Sequence, residues 1–394
     1  MKQISRHFLI FSLFFISIVG ASISWGKGFV PELPPVLMSV ETPAYNSKIS
    51  GATKVSLIAP GMDCGVVQCW KQGPGFGSDS VVTSLIFDET GKAFFTFPAD
   101  EYPHGPITLR ITSTDGYHWD SCNLMLYNKG GIAWDQGIPQ IPPPQAEGMK
   151  VIFQDDFRKP LSISSTGRGT TYCSHKPGGG DFGSFRFADH ESSNSPFSQI
   201  DTYLRIRADE SKGSTGFLSS VGMDGSGVSA SAPCYFECRF LGPSATGSWP
   251  AFWLLNLGSL KGSDKSADEY DVVEAYGGIG EHRPNAVGYM VATHTWNSAI
   301  KQPGVYLYIL MNQLGGKSTF WETFHTYGCK ITDSDTIYYC DNIEVARHPT
   351  TLLGKSDRFF FMINLALGGG WPVDLSRYGG KIDMYIDYVR VWQG

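Results

Sequence analysis

Residues 268–276 read "DEYDVVEAY" and crowd four acids, Asp268, Glu269, Asp271 and Glu274, into seven positions. The surrounding segments alternate as strands do, so this is not the solvated face of a helix. Side chains alternate faces along a strand, and Glu269 and Asp271 therefore point the same way. Glu274 follows Glu269 at an odd offset, which in a regular strand turns it to the opposite face. One inserted residue, a β-bulge at the Val272-Val273 pair, restores the parity. The three acids then share a face.

The rest of the chain is built to match. Its 394 residues allow two domains, and 13% aromatic, 17% charged, 46 Gly and 23 Pro suit strands joined by many turns. A formal net charge of −6 offers nothing to attract nucleic acid or an anionic membrane. Lys2 and Arg6 precede the apolar run Phe8–Val19, which is too short to span a bilayer and reads as a signal peptide over residues 1–24. The expectation is a secreted or periplasmic protein, acting as a monomer, with no membrane partner once the signal is removed.

The prolines between Pro139 and Pro144 mark a semi-rigid connector, residues 134–148. Before it, residues 30–133 hold short β-rich runs such as "KVSLIA" and "PITLRIT", spaced as in a small sandwich. The ending "HGPITLRITSTDG…CNLMLYN" resembles the last strands of immunoglobulin-like domains, and a spacer is the expected role. After the connector, residues 149–394 alternate without helical period and imply one large antiparallel sandwich. In its last strand Met384, Ile386, Tyr388 and Arg390 are expected on one face. Eight cysteines in an exported chain allow disulfides. A hairpin centred on "DSD" would set Cys329 opposite Cys340.

Three clustered carboxylates raise one another's pKa, so that one stays protonated while another is ionised. Cleavage of a glycosidic bond by a nucleophile and a general acid needs that condition. On these residues alone a hard-cation site and a solvated edge strand fit as well. The neighbours add weight to catalysis. Upstream, "GSWPAFWLL" puts Trp249 and Trp253 at an even offset, on one face where they stack on sugar rings or simply fill a core. Downstream, "ATHTWNS" offers His294 and Trp296.

Together these segments resemble glycoside hydrolase family 16 over most of residues 149–394. The resemblance rests on Glu269-Tyr-Asp271-Val-Val-Glu274, on Gly247, Trp249, Pro250, Ala251 and Trp253, on "FHTYG" (324–328), on "NLALGGGWP" (364–372) and on "IDYVRVWQ" (386–393). It implies a concanavalin-like β-jelly-roll sandwich. It implies Glu269 as nucleophile, Glu274 as acid and then base, and Asp271 tuning the nucleophile. Trp249, Trp253 and His294 match cleft positions, and Trp371 adds a stacking surface. No cofactor is required for catalysis, but a structural calcium on Asp156 and Asp387 is implied. Ser174–Tyr203 departs from the family pattern, which leaves the substrate more open than the chemistry. The implied activity is retaining, endo-acting hydrolysis of a β-linked polysaccharide, with β-1,3-glucan first. Transglycosylation, an exopolysaccharide or galactan substrate, and a sugar-binding protein on the same sandwich are the alternatives.

Overall fold

A computed structural model describes residues 38–71, 79–260, 266–278, 288–298, 302–315, 319–369 and 372–394. The expected signal peptide and Trp371 lie outside the described residues.

The alternation in residues 149–394 resolves into two layers. One sheet runs, in hydrogen-bonded order, Ile163–Ser164, Tyr172–Cys173, Phe217–Ser219, Arg358–Leu367, Ser248–Asn256, Ala267–Glu274, Gly288–Trp296 and Tyr306–Leu310, with Ala230–Ser231 beside Arg358–Leu367. The second runs Arg186–Phe187, Ser214–Thr215, Tyr203–Asp209, Lys381–Gln393, Cys234–Leu241, His325–Ile331, Asp335–Cys340 and Ile343–Pro349, with Phe197–Ile200 and Lys150–Asp155 off that path. This is the all-β sandwich expected from the sequence.

Burial decides which way each strand faces. Phe252, Leu254, Tyr270, Phe361 and Ile363 of the first sheet meet Ile206, Phe236, Cys329, Met384 and Ile386 of the second in one core. Each such side chain contributes roughly 1.5–3 kcal/mol on burial, so a strand slipped by one residue would forfeit several at once. The alternate residues Ala251, Trp253, Leu255, Phe360 and Met362 therefore crowd the opposite face of the first sheet. That face carries the acids.

The last strand corrects the expectation drawn from it. Arg239 pairs with Tyr388 but Phe240 pairs with Ile386, so Asp387 is an extra residue and the parity flips there. Ile382, Met384 and Ile386 point into the core before the bulge, and Val389 and Val391 after it. Tyr388 and Arg390 face the other way. The Arg390 guanidinium lies over the Tyr388 and Trp392 rings and donates to Glu237 Oε1 at 2.8 Å.

The cysteine hairpin is also shifted. Its tip is Asp333-Ser334, Ile331 pairs with Thr336, and the register sets Cys329 opposite Tyr338 and Cys340 opposite Tyr327. This tip lies one residue earlier than the Ser334-Asp335 tip that would set Cys329 opposite Cys340, which displaces every cross-strand pair by two. Both cysteines are buried in the core, and the eight cysteines form no disulfide.

Residues 38–71 and 79–133 form a second, smaller sandwich. Ser39–Thr42, Ala52–Ile58 and Lys92–Pro98 make one sheet; Lys48–Ile49, Trp119–Asn128, Gly105–Thr114, Cys64–Trp70 and Asp79–Ile86 make the other. Val55, Leu57, Phe97, Leu109, Ile111 and Leu126 fill its own core. It is packed against the larger sandwich, because Pro35–Gly394 is one compact unit. Met125 and Tyr127 share a buried cluster with Tyr203, Leu241, Phe324 and Tyr385. The proline-rich connector is pinned down too. Arg239 donates to the carbonyls of Asp135 and Gly137, and Ala146 is buried against Tyr235 and Trp392.

Candidate active site

The strand Ala267–Glu274 has the anticipated irregularity. Against Ser248–Asn256, Glu269 pairs with Leu255 and Asp271 with Trp253, but Val273 pairs with Phe252 and Glu274 with Ala251. Val272 is the extra residue. Val272 and Val273 both enter the core, where Tyr270 already lies. Glu269, Asp271 and Glu274 are thereby delivered to one cavity of about 510 Å³ on the outer face of the first sheet. Asp268, the fourth acid, is fully buried and accepts a hydrogen bond from Thr295 Oγ1 at 3.2 Å.

Trp249 and Trp253 both line this cavity, as their even offset requires. Their roles differ. Trp249 is half-buried and its indole donates to Glu274 Oε1 at 3.1 Å. Trp253 is only 6% exposed and donates to Asn364 Oδ1 at 2.9 Å, so it is floor rather than platform. His294 sits beside the acids, with Nε2 at 3.3 Å from Asp271 Oδ2. Its ring is stacked on Trp296 at 5.2 Å and 14°.

Trp296, offered by the sequence beside His294, belongs to the site, and so do three residues that the sequence did not single out: Tyr276, Asn364 and Lys176. Trp296 Nε1 donates to Glu269 Oε2 at 3.2 Å. Tyr276 OH donates to Glu274 Oε1 at 3.1 Å and stacks on Trp249 at 5.1 Å. Asn364 and Lys176 line the cavity, and the Lys176 ammonium lies 5.7 Å above the Trp253 ring. Asn364 stood inside a segment already noted, at an even offset from Met362 on the same sheet face, and strand parity would have found it. Nothing in the chain near Lys176 signals its position, since the Ser174–Tyr203 segment follows no strand rule.

Burial pushes all three carboxyls above their ordinary range, Asp271 furthest, with the charges of Glu274 and Glu269 adding to it. For Glu269 the burial effect is opposed by His294, by the Trp296 hydrogen bond and by Lys176. For Glu274 it is opposed by Tyr276, His294 and the Trp249 indole. Three such groups resist ionising together, so the cluster titrates as a unit rather than as three separate acids. Burial and the Glu274 charge also push the Tyr276 phenol well up, which fixes it as a donor.

A calcium ion does not fit the residues expected to hold it. Asp387 is fully buried, its Oδ1 accepts from the Gly137 N–H at 2.9 Å and its Oδ2 from Arg239 Nε at 2.6 Å. A guanidinium already neutralises that carboxylate, and a second cation beside it would be repelled. Asp156 pairs instead with Arg158 at 3.3 Å. Among the described residues, Glu269, Asp271 and His294 come close enough to share an ion, as do His325, Cys340 and Asp341. Neither set offers the six to eight oxygens calcium takes.

No family model matches the chain. Over 160 residues it is 33% identical to endo-1,3-1,4-beta-glycanase EglC of Rhizobium meliloti (strain 1021), a match to 40% of this chain and 30% of that protein. Over 177 residues it is 28% identical to a beta-glucanase of Rhodothermus marinus, covering 40% of this chain and 56% of the relative. The chain thus spans between about a third and about half of the length of these curated relatives. Among solved structures, an endo-beta-1,3-glucanase from Pyrococcus furiosus aligns with a TM-score of 0.48 at 21% identity, over 65% of this chain and 98% of that one.

Proposed function

We propose that the chain is a family 16 glycoside hydrolase that cleaves a β-linked glucan within the polymer, with retention, and that β-1,3-glucan is its first substrate. One observation carries this reading: the Val272 bulge brings Glu269, Asp271 and Glu274 into a single cavity walled by Trp249 and Trp296. The curated relatives named as β-glucan-cleaving enzymes support the substrate class.

In the first step Glu269 attacks the anomeric carbon and Glu274 protonates the leaving oxygen. Trp296 takes Glu269 Oε2, so Oε1 is the attacking atom. Trp249 and Tyr276 both donate to Glu274 Oε1, so Oε2 presents the proton. In the second step Glu274 takes a proton from water, which attacks the glycosyl-enzyme and frees Glu269. Asp271, held between the glutamates and against His294, keeps the shared proton off Glu269 when Glu269 must act as nucleophile. The apolar run Phe8–Val19 supports export to where polymeric substrate is found.

Reducing-end release from laminarin, mixed-linkage glucan, agarose and carrageenan tests this reading, with Glu269→Gln alongside. Release from laminarin by the wild type alone is expected. Near-normal turnover by Glu269→Gln would remove Glu269 as the nucleophile.

A further inference from the structure

We infer that the N-terminal sandwich is a working part of the active site, holding Trp249 against Glu274 through a buried contact between Asn123 and Ser244. This inference rests on the hydrolase reading only for its consequence in turnover; the contact and its test are independent of it.

The contact begins in the strand Trp119–Asn128. Asn123 is 2% exposed, and its Nδ2 donates to Ser244 Oγ, itself buried, at 2.8 Å. Nearby, Arg377 binds Asp120 at 2.9 Å and the Ser121 carbonyl at 2.8 Å. Ser244 and Arg377 belong to two loops that are tied to each other, because Asp374 N–H donates to the Thr246 carbonyl at 3.0 Å. The small sandwich therefore grips both loops at once.

From Ser244 the path to the acid is short and tight. Ser248 Oγ donates to the Pro243 carbonyl at 3.1 Å, and Ser248 N–H to the Ala245 carbonyl at 2.9 Å. The Gly277 N–H in turn donates to the Ser248 carbonyl at 2.8 Å. A Cβ on Gly277 would lie 2.1 Å from Ser248 Oγ and 2.3 Å from the Ala245 carbonyl oxygen, so this ledge has no slack. Trp249 follows at once and Tyr276 stands just before Gly277; these are the two donors to Glu274 Oε1. Close-packed segments move together rather than deform. Loss of the Asn123 contact should therefore loosen the Trp249 hydrogen bond.

The groups facing Glu274 are Trp249, Tyr276, His294, Asp271 and Glu269. Donation to a carboxylate favours its ionised form, so a weaker Trp249 bond raises the Glu274 pKa. Asn123 and Ser244 are positioning residues and touch no substrate.

The test is a carbon NMR titration of the Glu274 carboxyl in the full chain, which needs no substrate. Asn123→Ala and Ser244→Ala remove the contact from either side. Asn46→Ala is the control, because Asn46 bonds Asp383 and Tyr385 and joins the same two sandwiches on the second sheet. We expect the Glu274 pKa to rise by about half a unit in the first two variants and to stay put in the third. Folded Asn123→Ala and Ser244→Ala proteins that titrate like the wild type would overturn the inference. An equal shift in Asn46→Ala would overturn it too, since any loosening of the interface would then suffice. A chain that titrates as expected but cleaves no β-glucan would sink the proposed function and leave this contact standing.

Discussion

The indole of Trp296 reaches across one strand position to donate to Oε2 of Glu269 at 3.2 Å, while its ring stacks on His294. One side chain thus supports the ionised form of Glu269, the proposed nucleophile, and fixes the imidazole beside Asp271.

Trp296→Phe keeps the stacking and deletes the donor. A hydrogen bond to a charged group contributes about 1.5–3 kcal/mol when buried, and Trp296 is half exposed, so the lower figure applies. The expected loss in kcat/KM is about tenfold. The bond lowers the Glu269 pKa, so its removal moves the acidic limb of the pH profile to higher pH. A profile that drops uniformly without moving would assign Trp296 to sugar stacking alone.

Lys176 acts on the same carboxyl through space. Its ammonium favours ionised Glu269, so Lys176→Met should raise the acidic limb and Lys176→Arg should leave it near the wild-type position. The cavity is open to solvent, and the difference should shrink as salt is added. A limb that is the same in all three proteins would remove Lys176 from the account.

The bulge makes a prediction about parity rather than about any side chain. Deleting Val272 leaves a regular strand in which all three acids still face the cavity, so the protein should fold and keep measurable activity. Inserting one alanine after Asp271 makes the offset six. Glu274 then either reaches the cavity face six strand steps from Glu269, about 20 Å along the strand, or, if the bulge is kept, turns toward the core. That variant should lose roughly a thousandfold or more in kcat, or fail to fold, because the two carboxyls no longer meet across one bond or one of them enters the apolar layer. Equal activity in deletion and insertion would contradict the register.

Asp387 separates an ion pair from a metal site. Asp387→Ala strands the buried Arg239 guanidinium and should cost about 3–5 kcal/mol, measured by denaturant unfolding. Chelator should leave the wild-type Tm unchanged. A Tm that falls with chelator and recovers with calcium would reinstate a metal in this fold.

Much of the site was legible because strand parity is a strict rule. Glu269, Asp271 and Glu274 broke it by one residue, and the structure places the extra residue at Val272, inside the pair expected to hold it. Trp249 and Trp253 obeyed it and share the cavity. The same rule was misapplied at the C-terminus. The apolar positions shift from Ile382, Met384 and Ile386 to Val389 and Val391, and that slip marks the Asp387 bulge. The cysteine register failed because a hairpin tip misplaced by one residue changes every partner by two. Tyr276, two residues after Glu274, was within reach of the same rule, whereas Lys176 and the Asn123 contact were not, since loop paths and sandwich docking leave no period in the chain.

The proposed retaining mechanism requires Glu269 to become covalently bonded to the sugar. A slow fluorinated β-glucoside that accumulates the intermediate, followed by peptide mass spectrometry, reads that bond. One glycosyl adduct per chain is expected, localised to Glu269 itself by fragmentation of that peptide, and absent in Glu269→Gln. An adduct on Asp271 or Glu274, or turnover with inverted anomeric configuration and no adduct, would contradict the mechanism.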